Sequence, residues 1–121
     1  MIELSLARGR IALRLTAERL GADLAVTLAG GDRPHVGAVA VSQPRADAGA
    51  TTSVVAILGH REDDLARQLA ARLAAATRGV VSVTCGIHVD RITPEEIEDV
   101  RRMGEELADE LLELLAKPTA G

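Results

Sequence analysis

The stretch Val80-Val-Ser-Val-Thr-Cys-Gly-Ile-His-Val-Asp90-Arg-Ile-Thr-Pro-Glu-Glu96 sets the architecture of this 121-residue chain. Val81, Val83, Cys85, Ile87 and Val89 fall on one side of an extended chain. Ser82, Thr84, Gly86 and His88 fall on the other. That period of two marks a strand with one apolar face. Thr93-Pro94-Glu95-Glu96 then starts a helix: a capping Thr, a Pro at the first helical position and a Glu three residues after the Thr. Ile97, Val100, Leu107, Leu111 and Leu114 run down one side to Ala116, and Lys117-Pro118 ends it.

Working towards the N-terminus, Leu65, Leu69 and Leu73 with Ala66, Ala70 and Ala74 form a second helical stripe, stopped at Gly79. Val54 to Leu58 is a continuous apolar run, the pattern of a strand buried on both faces. Residues 43 to 52 are expected to be an exposed loop. Ile11, Leu13 and Leu15 alternate with polar or small residues, as do Leu24, Val26 and Leu28, and Gly21-Ala-Asp23 between them suits a hairpin. Ile2 to Leu6 is a further strand or the start of the first. The fold class is therefore α+β, a mainly antiparallel sheet of four to six strands with both helices on one face. The chain reads as a single domain over 1–121, with residues 1–58 mostly strands, a helix over 59–78, a strand over 80–89 and a C-terminal helix over 94–116. A right-handed crossover is expected to leave strands 54–58 and 80–89 parallel.

Composition removes several classes of function. No run approaches the roughly 18 apolar residues of a membrane span, and the first residues lack the layout of a secretion signal. A single cysteine, Cys85, excludes an internal disulfide framework and a thiolate zinc cage. Those features together lead us to expect a cytoplasmic protein. Residues 94–116 carry nine carboxylates against Arg101 and Arg102, whereas residues 1–93 carry eleven arginines against nine carboxylates. A duplex-binding surface needs a basic stripe, so no nucleic-acid partner is expected. There is no Phe, Tyr or Trp, so a flat ligand must lie against aliphatic side chains, peptide planes, imidazoles or guanidinium groups.

All three histidines stand beside glycines at strand ends. Gly30-Gly-Asp32-Arg33-Pro-His35-Val-Gly37 is a turn whose backbone N–H groups and bare Gly37 let a ligand approach; it also reads simply as a tight interstrand turn. Leu58-Gly59-His60-Arg61-Glu62-Asp-Asp64 leads from a strand into a helix N-terminus, where Gly59 and Arg61 suit a phosphate, although three carboxylates already answer the helix dipole. Cys85-Gly86-Ile-His88-Val-Asp90 closes its strand with Gly86 and His88 on one face. Cys85 points the other way and reads as a buried thiol.

Together the segments 31–37, 58–64 and 85–95 resemble the LpdD-type prenylated-flavin chaperones, which include the D subunit associated with gallate decarboxylase. The resemblance covers about residues 30–116 of the sequence. It implies a protein that binds prenylated FMN (or FMN) and assists its maturation or delivery to a UbiD-type decarboxylase, with a flavin prenyltransferase as a further possible partner and homo-oligomers expected. On this reading Asp32, Arg33, His35, Gly37, Gly59, His60, Arg61, Gly86 and His88 surround the cofactor. His60 stands at the phosphate end, and His35 and His88 flank the ring system. Such a protein holds its cofactor and need not be an enzyme, though it could assist flavin oxidation.

Two other readings compete. Three histidines are the ligand count of an open catalytic metal site, with Asp32, Asp63 or Asp90 in support. Alternatively, the chain is a non-catalytic decarboxylase-associated subunit that docks through its acidic last helix, whose stripe Leu112 and Leu115 widen enough for self-association.

Overall fold

In the computed structural model, which describes residues 1–57 and 62–117, six strands and two helices follow in the order β1 (Ile2–Arg8), β2 (Ile11–Leu20), β3 (Asp23–Gly31), β4 (Ala38–Pro44), β5 (Ala50–Ala56), α1 (Asp63–Thr77), β6 (Val81–His88) and α2 (Pro94–Ala116). The strands form one sheet in the order β1-β2-β3-β6-β4-β5. All pairings are antiparallel except β3 with β6, where Leu24 to Gly31 lie beside Val81 to His88. The fold class is the α+β one expected from the sequence.

The alternation sorts side chains as the sequence required. Ile11, Leu13, Leu15 and Ala17 of β2, Leu24, Val26 and Leu28 of β3, Ala38 and Ala40 of β4, and Val81, Val83 and Cys85 of β6 are buried together with Leu69, Leu73, Met103, Leu107 and Leu111 of the two helices. α1 meets β4, β5 and β6, α2 meets β1 and β2, and the helices touch each other. Each fully buried leucine contributes roughly 1.5–3 kcal/mol relative to exposure, so this cluster is the main stabilising feature. The Thr93 side chain accepts from Glu96 N at 3.1 Å and the Glu96 carboxylate accepts from Thr93 N at 3.1 Å, which completes the capping box.

Several local expectations are overturned. Residues 43–52 are not a loop: β4 runs to Pro44 and β5 starts at Ala50, leaving a short turn in which Ala48 has φ +72°. The run from Val54 is not buried on both faces. It belongs to β5 at the sheet edge, and Val55 is 68% exposed. A short apolar run does not distinguish a central strand from an edge one, because burial is set by neighbours far away in sequence. The strands around 54 and 80–89 do run in the same direction, but β4 separates them and β6 takes its parallel partner from β3.

The first helix begins at Asp63, and the earlier part of the expected 59–78 helix lies outside the described residues. Its stop is Arg78, left-handed at φ +61° with its N–H on Ala74 O, and not Gly79. Leu112 and Leu115 are partly buried and pack against the core.

Candidate functional site

β3 ends in glycines, and the chain then turns along the end of β6 before entering β4. Gly31 takes φ +72°, and a Cβ there would strike the carbonyl of His88. Asp32 N donates to His88 O at 2.6 Å and Gly37 N donates to Cys85 O at 2.9 Å. Between these two anchors the segment passes directly over Gly86, where any Cβ would overlap the carbonyl of His35. The turn motif and the Cys-Gly-Ile-His motif are thus stitched into one structure, with Gly86 fixed as glycine by a backbone passing above it.

Glu62, just before α1, completes this cluster. Its Oε1 accepts from Ile87 N at 3.3 Å, occupying the place where β4, had it continued, would have paired with β6. The same oxygen lies 2.9 Å from His35 Nε2, with the two side chains 16% and 12% exposed. Oε2 is buried without a hydrogen-bond partner among the described residues, and a Cβ at Gly37 would come within 2.5 Å of it. His35 Nδ1 lies 3.1 Å from Arg33 O, which can only accept, so this nitrogen carries the proton.

Glu62 is the residue the sequence reading missed in this role. There it was one of three acids answering a helix dipole. Here its side chain makes no cap bond to α1 and turns inward. Only the following Asp63 and Asp64 remain in the first turn as the dipole's counter-charge.

His88 belongs to a separate, more open network. Its Nε2 lies 2.8 Å from Asp90 Oδ1, with side chains 39% and 74% exposed. Asp90 N donates to Asp32 Oδ2 at 2.7 Å, Arg10 Nη2 donates to Asp90 O at 2.7 Å, and Arg10 Nε donates to Glu96 at 2.7 Å. The paired guanidinium and the Thr93 N–H hold the Glu96 carboxyl down to about 2. Burial pushes the Cys85 thiol up to about 12, so it stays a protonated core side chain, as the sequence suggested.

Of the residues singled out in the sequence, Asp32, Arg33, His35, Gly37, Gly86 and His88 therefore come together at the β3–β4 connection and the end of β6. Gly59, His60 and Arg61 lie outside the described residues. Next to this cluster a groove of about 530 Å³ opens over β1, β2 and β3, lined by Ser5, Ala7, Ala12, Arg14, Thr27, Ala29 and Pro34, among others. Its floor is made of small side chains of the opposite parity to the core, which leaves room for a flat molecule against the sheet. Among the described residues no group of three or more His, Cys, Asp or Glu is gathered to hold a metal ion.

The family model described as "Prenylated flavin chaperone LpdD-like domain" matches residues 7–116. The chain belongs to this family. No curated protein matches it. Among solved structures, a chain from the crystal structure of a novel chaperone complex for yeast 20S proteasome assembly superposes with a TM-score of 0.63 at 12% identity, covering 91% of this chain and 92% of that one. At that identity the likeness is one of fold. Family membership agrees with a chaperone role, and among the described residues no helix is long and apolar enough to cross a membrane.

Proposed function

We propose that this protein binds prenylated FMN and holds it for maturation or delivery to a UbiD-type decarboxylase. The family match over residues 7–116 carries the reading. The groove and the adjoining cluster suit such a cofactor in two respects. Ala7, Ala12 and Ala29 offer small apolar contacts to a flat ring and to the carbons added by prenylation. Beyond the residues that line the groove, Glu62 Oε2 lies buried near Gly37 without a hydrogen-bond partner among the described residues, an acceptor awaiting a donor. A flavin ring N–H is a donor of that kind. Arg33, exposed on the connecting segment, and Arg61 are the groups that would meet the phosphate.

When bound, the flavin supplies the redox-active ring; the chain's own work is to bind, orient and shield it. The alanine floor excludes water from one ring face. The fit does not require a catalytic residue, and release to a decarboxylase is the functional end point.

The test is anaerobic titration of the purified protein with reduced prenylated FMN, followed by its visible spectrum. The absence of Trp and Tyr leaves the protein nearly transparent at 280 nm, so bound flavin is easily seen. Binding at low micromolar protein, lost on Ala29→Trp, which fills the groove, is the expected result. A spectrum unchanged at about 10 µM protein overturns the proposal.

A further inference from the structure

The groove over β1, β2 and β3 is neutral except at one point. Strand pairing puts Ser5 of β1 beside Arg14 of β2, and Arg14 beside Ala29 of β3, and all three line the groove. On one side of this row stand the paired Ala7 and Ala12, on the other the paired Thr16 and Thr27. Arg14 is the only charged residue among the described residues that line the groove, and it belongs to the middle of the floor. Its Nη2 donates to Glu3 Oε1 at 2.8 Å, and both side chains are exposed. An exposed pair of this kind is weak and screened by water, so a bound anion can share the guanidinium with Glu3 or displace it. Arginine carries five N–H donors in a planar fork, and the Glu3 contact engages one of them.

We propose that Arg14 makes the groove selective for the reduced, anionic flavin ring over the oxidised, neutral one. This inference rests on the flavin reading above. Reduction of FMN by two electrons, with one proton taken up at N5, leaves one negative charge on the ring, shared between N1 and the C2 carbonyl oxygen. The phosphate is the same in both states. A cation at the ring therefore favours the reduced state, whereas a cation at the phosphate treats the two alike. Arg14 stands among the small residues that would carry the ring, while Arg33 lies on the connecting segment. A guanidinium keeps its charge at any working pH, and its fork matches two neighbouring acceptors in one plane, which is what N1 and the C2 carbonyl offer. Tighter binding of the reduced state also raises the reduction potential of the bound flavin.

The test is anaerobic titration of the intact protein with oxidised FMN, dithionite-reduced FMN and reduced prenylated FMN, for the parent, Arg14→Gln and Arg14→Lys. Arg14 is exposed, so circular dichroism of both variants is expected to match the parent. The parent is expected to bind reduced FMN at least about fivefold more tightly than oxidised FMN, the factor that one charge pair about 4 Å apart gives even in water. For a two-electron couple that factor places the bound flavin about 20 mV above free FMN. Arg14→Gln is expected to bring the two affinities together by weakening the reduced state alone, and Arg14→Lys to keep the preference. Equal affinities in the parent, a preference that survives Arg14→Gln or is lost in Arg14→Lys, weakening of both states alike, or FMN bound in neither state would each overturn the proposal. Failure of the parent to bind reduced prenylated FMN at about 10 µM protein would instead overturn the flavin reading itself, and this inference with it.

Discussion

Two histidine–carboxylate pairs stand a few residues apart, and their separations are nearly equal: 2.9 Å for His35–Glu62 and 2.8 Å for His88–Asp90. Their surroundings differ. The first is 16% and 12% exposed and its carboxylate also closes the end of β6; the second is 39% and 74% exposed. Distance alone would rank them together. Water decides otherwise, because solvent screens the outer pair and competes for its partners, while the inner pair has few alternatives. The lesson for this molecule is that the buried pair organises the connection between β3 and β4, whereas the outer one decorates it.

The largest effect is expected where the comparison depends on backbone. Gly86→Val pushes a side chain into the His35 carbonyl and should cost about 3 kcal/mol or more, or prevent folding, as read by urea denaturation. Little change would mean that the connecting segment does not lie over Gly86. Next comes Glu62→Ala, which strips the Ile87 N–H and His35 of their carboxylate; about 2 kcal/mol is expected in the same measurement. A loss below about 0.5 kcal/mol would abolish the distinction between the two pairs.

The outer network has its own signature in acid. Arg10 holds the Glu96 carboxyl at about 2, below its ordinary value of 4.5. A depressed folded-state value stabilises the protein above the unfolded one, and that contribution is lost as pH falls from about 4.5 through about 2. Glu96→Gln should therefore flatten the acid limb of stability between those pH values, measured by thermal melts; an unaltered limb would remove this ion pair from the account. The smallest effect is expected for His88→Ala, within about 0.5 kcal/mol and shrinking further in salt. If it rivalled Glu62→Ala, burial would not be what separates the pairs.

The strands from Ile11 and Leu24, the two faces of Val81 to His88 and the capped helix at Thr93 could all be read directly, since each rests on spacing within a few residues. The sequence reading gathers His35, His60 and His88 at one site from their glycine neighbours; the structure places His35 and His88 at one end of the sheet in separate networks, and His60 lies outside the described residues. Glu62 was legible only as an acid near a helix start, because nothing local says that its carboxylate will turn to β6. The edge position of β5 was misread for a similar reason: Val54 and Val55 look the same in a central strand.

Sequence by itself thus determined periodicity, helix start, the apolar core positions and the lack of any aromatic ring to stack on a ligand. Those properties belong to neighbouring residues, and their physics is short-ranged. Only the tertiary structure decided that β6 slips between β3 and β4, that β5 is left at an edge, and that a carboxylate from before α1 meets the histidine after β3. Strand order and burial are set by which distant segments pair, and those pairings are chosen by the energy of the whole sheet and core.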